Sequence, residues 1–223
     1  MRRIYLHCWG MASANAICLK TGAGSTFAAS GWTHGLNAIV NTSVAGYLDT
    51  KITPALAGMS ETNSSFVALV LAPPSPANYS WMGTCESNAA LGYNSLGGTT
   101  NNISLILTNS NRTVLSCNIG EQTGVIIGSR EGTTNFVHRT RMGVLQVLAS
   151  QTQATLSEAV SNTLNMWIGM CNFNNSGYAP SLGTFGATGF GLALTQAESQ
   201  LIGPALETLW SGVSGVNIYT WNV

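Results

Sequence analysis

The chain has 223 residues, 45% of them apolar, a length that suits one hydrophobic core and is short for two. Eight Lys and Arg balance eight Asp and Glu, so the net charge is zero and a nucleic-acid binder that works by phosphate neutralisation is disfavoured. Charged residues make up only 7%, against a usual share of about 25%. This argues against a free cytosolic enzyme and favours an all-β particle component or an adhesin.

Neutral polar residues take the place of charges. Ser, Thr, Asn and Gly number 23, 24, 20 and 25, together 92 of the 223 residues. They supply hydrogen bonds and tight turns without charge. Disorder is disfavoured because aromatic residues and apolar runs extend through the whole chain.

No membrane insertion is expected from the apolar runs. The longest, Phe66 to Ala72, is far shorter than the roughly 18 residues of a membrane span. The opening "MRRIYLHCWGMASANA" mimics a signal peptide. Its apolar part is short and interrupted by His7, so we expect no cleavage.

Short apolar segments bounded by turn residues recur about every 10 to 15 residues, which is typical of a β-sandwich or jelly roll. In chain order they are "SSFVALVLA" (64–72), expected to end at Pro73, then "YSWMG" (79–83), "ISLILT" (103–108), "TVLSCNIG" (113–120), "GVIIGSR" (124–130), "NFVHRTRMGVLQVLAS" (135–150), "NMWIGMCNF" (165–173) and "TFGATGFGLAL" (184–194). "ISLILT" departs from strict alternation, as a central strand that is apolar on both faces does.

One helix is predicted after residue 194. "TQAE" (195–198) has the spacing of a capping box, and an apolar stripe follows it, formed by Leu201, Ile202, Ala205, Leu206 and Leu209. We expect the stripe to pack on the sandwich, with partner docking as the alternative. Pro204 predicts either a kink or a new helix start at that point. The tail "GVNIYTWNV" (215–223) is interpreted as a last strand or an extended arm.

Domain organisation is simple, because the sequence shows no repeat and no linker. Residues 1–20 are expected to form an N-terminal arm or first strand, and residues 21–223 the sandwich domain. The five cysteines are scattered and odd in number, which predicts buried reduced thiols and leaves a disulfide open.

The titratable residues predict no catalysis. Glu121 and Glu131 are the best-placed carboxyl pair for glycoside hydrolysis, yet they are more readily interpreted as turn caps or as partners of Arg130. No nucleophile elbow accompanies the three histidines, and His138 is expected at an exposed strand position. With one aspartate, and without closely spaced Cys or His, no metal site and no cofactor are predicted.

Aromatic residues near Asn-rich turns predict a carbohydrate site, since rings stack on sugar faces and amides bond to hydroxyl groups. The candidates are Trp32, Tyr93, Tyr178 and Asn174. Trp81 and Trp167 lie in apolar strands and are expected in the core. The Asn-x-Ser/Thr sequons are interpreted as a result of composition, because Asn, Ser and Thr are so frequent.

A family resemblance adds to these expectations. The segment "STFAASGWTHGLNAIVNTSVAGYLDTKITPALAGMSETNSSFVALVLA" (25–72), with Thr26-Phe27, the run 47–50 and Pro54, resembles a phage-encoded group of concanavalin A-like (laminin-G-like) jelly rolls. "GVIIGSREG", "MWIGMCN" and "FGATGFGLALTQAES" are similar to later segments of the same group. The group's closing helix is usually uninterrupted, so Pro204 is expected to break it here. The group's calcium-dependent members have acidic ligands that this chain lacks.

The resemblance implies a two-sheet antiparallel jelly-roll sandwich with one C-terminal helix. It also implies a non-enzymatic structural component of a tailed-bacteriophage virion, as a head fibre, capsid decoration or tail appendage that is assembled in the host cytoplasm. The expected partners are other virion proteins, further copies of the chain and a host-surface glycan. The alternative is a carbohydrate-binding module or receptor-binding adhesin. A sandwich-fold glycosidase is a third hypothesis, which requires a cleft with paired carboxylates.

Overall fold

The structure, a computed structural model, describes residues 3–27, 31–60, 62–75, 78–85, 94–99, 102–107, 114–118, 122–152 and 163–216. The described strands are, in chain order, β1 Arg3–Leu6, β2 Thr26–Phe27, β3 Trp32–His34, β4 Ile39–Asn41, β5 Leu48–Asp49, β6 Asn63–Ser75, β7 Asn78–Cys85, β8 Asn94–Thr99, β9 Asn102–Leu107, β10 Val114–Asn118, β11 Gly124–Glu131, β12 Thr134–Arg141, β13 Val144–Thr152, β14 Trp167–Ile168, β15 Cys171–Phe173, β16 Ser176–Tyr178 and β17 Leu182–Gly191. A one-turn helix, α1, spans Ala12–Asn15, and the long helix α2 spans Gln196–Ser214.

These strands form two sheets. The first sheet has the order β13-β12-β11-β6-β17-β4-β3, with β1 also paired to β17. The second has the order β10-β9-β8-β7-β14-β5-β2, and β15 joins it beside β7 and β16. Among the described strands every pairing is antiparallel except that of β15 with β7. The predicted two-sheet antiparallel sandwich is thus confirmed with one parallel exception.

The sequence of β6 does not alternate between apolar and polar residues, because both faces of this strand are buried. Phe66, Ala68 and Val70 point into the cluster between the two sheets, which includes Trp81 and Met82 of β7. The intervening Val67, Leu69 and Leu71 belong to a second cluster, which contains Leu206 and Trp210 of α2. The first sheet is therefore buried on both faces, by the second sheet and by α2, so its central strand must be apolar at consecutive positions.

Several predicted strands differ in their limits from the observed ones. β6 continues past Pro73 to Ser75. The segment 135–150 is a hairpin of β12 and β13, whose turn contains Met142 and Gly143, both with positive φ. β1 pairs with residues 187–190 of β17, while the boundary between residues 20 and 21 stays a prediction. The predicted tail strand lies outside the described residues from 217 onward.

Helix α2 begins as predicted. The Thr195 hydroxyl accepts the Glu198 backbone N–H, and the Glu198 carboxylate accepts the Thr195 N–H, which completes the capping box. These bonds lower the pKa of Glu198. The helix is continuous through Pro204, so the predicted restart at that residue is wrong, and so is the expectation that Pro204 breaks the closing helix.

The predicted packing face of α2 is wrong in part. Leu206 is buried, but Leu201 and Leu209 are 73% and 46% exposed. The buried face consists of Ser199, Gly203, Leu206, Glu207 and Trp210. Small and polar residues occupy it because α2 lies very close to β12 and bonds to the sheet through polar groups. Neither described helix is long and apolar enough to cross a membrane.

Candidate functional site

An open depression of about 360 Å³ lies where the connection between β4 and β5 meets β14 and the β15–β16 hairpin. Its walls combine apolar, aromatic and neutral polar groups. The lining residues are Val44, Ala45, Tyr47, Trp167, Met170, Asn175, Ser176 and Gly177. Every one of them is uncharged.

A stacked aromatic pair forms one wall of this depression. The rings of Tyr47 and Trp167 are 3.8 Å apart between centroids and inclined by only 12°. Trp167 is 6% exposed and Tyr47 is partly exposed, so Tyr47 is the ring that is accessible to a ligand. Such a pair contributes about 0.5–1.5 kcal/mol beyond its buried area, and it holds the Tyr47 ring in a defined plane.

A tight hairpin turn also lines the depression. Asn174 and Asn175 both have positive φ, 49° and 61°, between Phe173 of β15 and Ser176 of β16, which pair with each other. Asn tolerates this left-handed backbone, and a two-residue turn with two positive φ values suits the twist of antiparallel strands. The Asn175 N–H donates to the Asn172 side-chain oxygen over 2.9 Å. The turn is thereby held in a shape that presents Asn175 and Ser176 to the depression.

Asn41 fixes the loop that carries Val44, Ala45 and Tyr47. This buried amide donates to the carbonyl oxygens of Gly46 and Ser181, over 2.9 and 3.0 Å, and accepts the Ser43 N–H. It joins the loop to the segment between β16 and β17, and its bonds to the Gly46 and Ser181 carbonyls are buried. The position of Tyr47 therefore depends on one buried side chain.

Trp32 is half-buried and is not among the residues that line the depression. It packs on Phe27, Phe185 and the core between the sheets. Gly169, with φ of 91°, leaves room for its ring, because a Cβ there would come within 2.8 Å of the indole. Trp32 thus packs beside Gly169, which precedes the lining residue Met170.

The other predicted sugar-binding residues have different positions. Tyr178 is 53% exposed and does not line the depression, although strand alternation places it on the same face of β16 as the lining residue Ser176. Asn174 is exposed at the tip of the hairpin. Tyr93 lies outside the described residues. Sequence reasoning missed Tyr47, whose only signal was its place in the run 47–50. Trp167 was expected in the core. It is buried, as expected, and it also lines the depression.

The charged residues nearest to this site along the chain, Asp49 and Lys51, form an ion pair with each other. The Lys51 ammonium group lies 2.8 Å from the Asp49 carboxylate, and the Asp49 side chain also accepts the Lys51 backbone N–H. Asp49 is directly opposite Trp167 in the register of β5 and β14. A cation and an anion therefore neutralise each other next to the stacked pair.

A second polar group lies under α2, away from the depression. His138 is 1% exposed, so the expectation of an exposed position is wrong, and the reason is that α2 covers β12. Its Nδ1 contacts the Ser199 hydroxyl, while the Glu207 carboxylate accepts the N–H groups of Met142 and Gly143. Burial lowers the pKa of His138 and raises that of Glu207. These bonds join α2 to the β12–β13 hairpin.

Of the predicted carboxyl pair, Glu131 is exposed at the end of β11, and Glu121 lies outside the described residues. Across the part of the chain that is described, no three His, Cys, Asp or Glu side chains form a group able to hold a metal. Cys8, Cys18, Cys85 and Cys171 are buried thiols, as predicted, while the side chain of Cys117 is not described. The absence of catalysis, metal and cofactor stays a prediction.

Comparison with known proteins relates this chain to others by fold. No protein-family model matches it, and no curated protein does. The carbohydrate-binding module CBM40 of the Ruminococcus gnavus IT-sialidase, bound to α2,3-sialyllactose, matches with 13% identity and a TM-score of 0.51, over 71% of this chain and 92% of the module.

Two larger proteins also contain a similar unit. A point mutant of the NanB sialidase from Streptococcus pneumoniae is 14% identical with a TM-score of 0.52, over 80% of this chain and 27% of that one. A tryptophan-to-alanine mutant of HCR/D is 14% identical with a TM-score of 0.56, over 92% of this chain and 51% of that one. At such identities the likeness concerns the fold, and it confirms the predicted jelly-roll sandwich.

At 13–14% identity the comparisons show the fold of this chain and not its function. The module from Ruminococcus gnavus is itself a carbohydrate-binding domain. A phage origin, virion partners, a virion location and self-association gain no support from these comparisons and stay predictions.

Proposed function

We propose that this protein is a carbohydrate-binding module or lectin-like adhesin, with its site in the depression around Tyr47 and Trp167. One observation carries the proposal, namely the combination of a stacked, partly exposed aromatic pair with neutral polar groups in one rigid concave site. Sugars present a C–H face that packs on a ring and hydroxyl groups that bond to amides and hydroxyls. The depression contains both an aromatic ring and neutral hydrogen-bonding groups among its lining residues.

The fold supports this proposal. A carbohydrate-binding module of similar fold, the one from Ruminococcus gnavus, binds α2,3-sialyllactose. Concave sites lined by aromatic side chains with a few polar groups are typical of small-molecule binding. The loops and hairpin that line this site project from two well-packed sheets, which keeps the binding surface ordered before a ligand arrives.

A glycan array followed by calorimetry tests the proposal. The Tyr47→Ala variant should bind about tenfold more weakly than the native chain, since the loss of one ring contact costs about 1.4 kcal/mol. Tyr47→Phe keeps the ring and should retain most of the affinity.

Trp9→Ala is the matched control, because Trp9 is 40% exposed and does not line the depression. Equal losses in Tyr47→Ala and Trp9→Ala would place binding elsewhere. A native chain that binds no glycan would contradict the proposal itself.

A second function, as a subunit of a larger assembly such as a virion, is favoured by a different observation. Leu201, Leu209 and Val213 are exposed along one side of α2, where a soluble monomer usually presents polar groups. This function is compatible with glycan binding. A mass measurement on the purified chain tests it, since a monomer at all concentrations would contradict self-association.

A further inference from the structure

We infer that the glycan held in the depression is uncharged, a neutral hexose or N-acetylhexosamine, and not a sialic acid, uronic acid or sulfated sugar. The inference rests on the proposed function and specifies its ligand class. It follows from the charges that surround the site.

The lining offers no cation to an anionic group. All eight lining residues are neutral, and their polar side chains are the Tyr47 hydroxyl, the Trp167 indole, the Asn175 amide and the Ser176 hydroxyl. A carboxylate in this site finds neutral donors but no cation, so it forms no salt bridge to offset the loss of its hydration. Sugar hydroxyls, by contrast, are matched by neutral donors and acceptors.

The described cations are placed away from this lining. Arg130, Arg139 and Arg141 lie on β11 and β12 in the first sheet, whereas the depression belongs to the second. The Arg3 guanidinium donates to the Thr21 hydroxyl. Lys20 is not among the lining residues.

Lys51 comes nearest along the chain, and its charge is already compensated. Its ammonium group contacts Asp49, whose carboxylate also lies 3.5 Å from the Asn165 amide nitrogen. Asp49 is opposite Trp167 across the β5–β14 pair, so its ion pair with Lys51 adds no net positive charge beside the stacked rings. The described charges near the stacked pair thus give a carboxylate on the sugar no net attraction.

The apolar part of the lining suits the same ligand class. Val44, Ala45 and Met170 form a wall without hydrogen-bonding side chains next to the aromatic pair. A Cβ on Gly177 would come within 2.4 Å of the Met170 sulfur, so the hairpin is packed closely against this wall. A C–H face or an acetamido methyl group can pack there without losing hydration of a charge.

The test uses matched pairs of oligosaccharides that differ only in one carboxylate or sulfate, such as lactose and sialyllactose, measured at low and high salt. The neutral member should bind at least as tightly as the charged one, and its affinity should not depend on salt. Binding of only the charged members, lost in Tyr47→Ala, would overturn this inference and leave the proposed function intact. Binding of neither member of any pair would contradict the proposed function instead.

A variant that adds a cation to the lining tests whether the lack of positive charge is what disfavours charged sugars. Ala45 is exposed and lines the depression, so Ala45→Arg places a guanidinium group beside the ligand. Ala45→Arg should raise the affinity for the charged member several-fold in low salt, while Ala45→Gln, a neutral side chain of intermediate length, should not. An unchanged affinity in Ala45→Arg would overturn the electrostatic argument.

Discussion

Asn41 shows how much of the binding surface depends on one side chain. Its amide makes three hydrogen bonds that hold the loop 42–47 against the segment that leads into β17. Asn41 begins one of the Asn-x-Ser/Thr sequons that composition explains, and no local pattern signals its buried role. Asn is so frequent in this chain that composition hides the few amides that are buried and bonded, such as Asn41 and Asn172.

Replacement of Asn41 should therefore cost both stability and binding. Asn41→Ala leaves the Gly46 and Ser181 carbonyls buried without their donor, which should lower the free energy of unfolding by about 2 kcal/mol. Glycan affinity should fall as well, because the loop carries Tyr47. Urea denaturation and calorimetry measure the two effects.

The control for this prediction is Asn37→Ala. The Asn37 side chain is exposed, and only its backbone carbonyl is used, as the acceptor of the Trp210 indole N–H. We expect a change within about 0.5 kcal/mol. A similarly small effect of Asn41→Ala would show that the loop is held by other contacts.

At the scale of elements, α2 and the first sheet are joined by close backbone approach and by polar bonds. Ser199 contacts His138, Glu207 binds the β12–β13 turn, and Gly203 faces Thr140. From the sequence alone, Leu201 and Leu209 were assigned to the face of α2 that packs on the sheet, but both side chains are exposed. The reason is that Ser199, Gly203 and Glu207 share the buried face with Leu206 and Trp210, while hydrophobicity patterns give weight to every Leu.

Two glycines of α2 provide a paired prediction. Helix propensity favours Ala over Gly by about 1 kcal/mol at both Gly203 and Gly212. A Cβ at residue 203 would lie 2.1 Å from the Thr140 hydroxyl, whereas nothing lies within 4 Å of a Cβ at residue 212. Gly203→Ala should therefore lower the melting temperature, and Gly212→Ala should raise it or leave it unchanged.

Thermal unfolding followed by circular dichroism distinguishes the two outcomes. If Gly203→Ala were as stable as Gly212→Ala, the close contact between α2 and β12 would be contradicted. Far-UV spectra of both variants at low temperature serve as the control for an intact fold.

For the whole molecule, buried histidines connect stability to pH. The His7 ring is fully buried, with Nδ1 3.1 Å from the Asn15 carbonyl oxygen and Nε2 2.8 Å from the Thr188 hydroxyl. The carbonyl can only accept, so Nδ1 carries the proton and Nε2 accepts from Thr188. Burial lowers the pKa of His7 from 6.5 to about 3, and it also lowers the pKa values of His34 and His138.

Stability should consequently decrease in mild acid. Between these pKa values the unfolded chain binds protons that the folded chain does not, so the free energy of unfolding falls as pH drops below 6.5. His7 alone contributes a slope of at most about 1.4 kcal/mol per pH unit. Urea midpoints between pH 6.5 and about 5 measure this effect, and the difference from a variant without the His7 imidazole separates it from Glu207, whose raised pKa acts in the opposite direction.

His7→Gln is the matched variant, since an amide retains one donor and one acceptor but does not titrate. Its stability should depend less on pH than that of the native chain over the same range. A native chain whose urea midpoint stays constant from pH 6.5 to about 5 would contradict the prediction.

The sequence by itself determined the class of fold and most of the strands. Strand segments are short and local, and β-branched, aromatic and turn residues mark them, which is why Phe66 to Ala72 and the capping box at Thr195 were predicted in place. The sequence also indicated that any ligand would be bound through uncharged groups, because the small number of charged residues can be counted without a structure. Tyr178 and Asn174 were placed correctly near exposed turns for the same local reason.

Only the tertiary structure decided which residues meet. Tyr47 and Trp167 are 120 positions apart, and their stacking follows from the pairing of β5 with β14, which no local pattern encodes. The burial of His138 and the inward face of α2 likewise depend on which surface the helix covers. Long-range strand pairing and close packing create these contacts, and both are properties of the assembled sandwich and not of any segment.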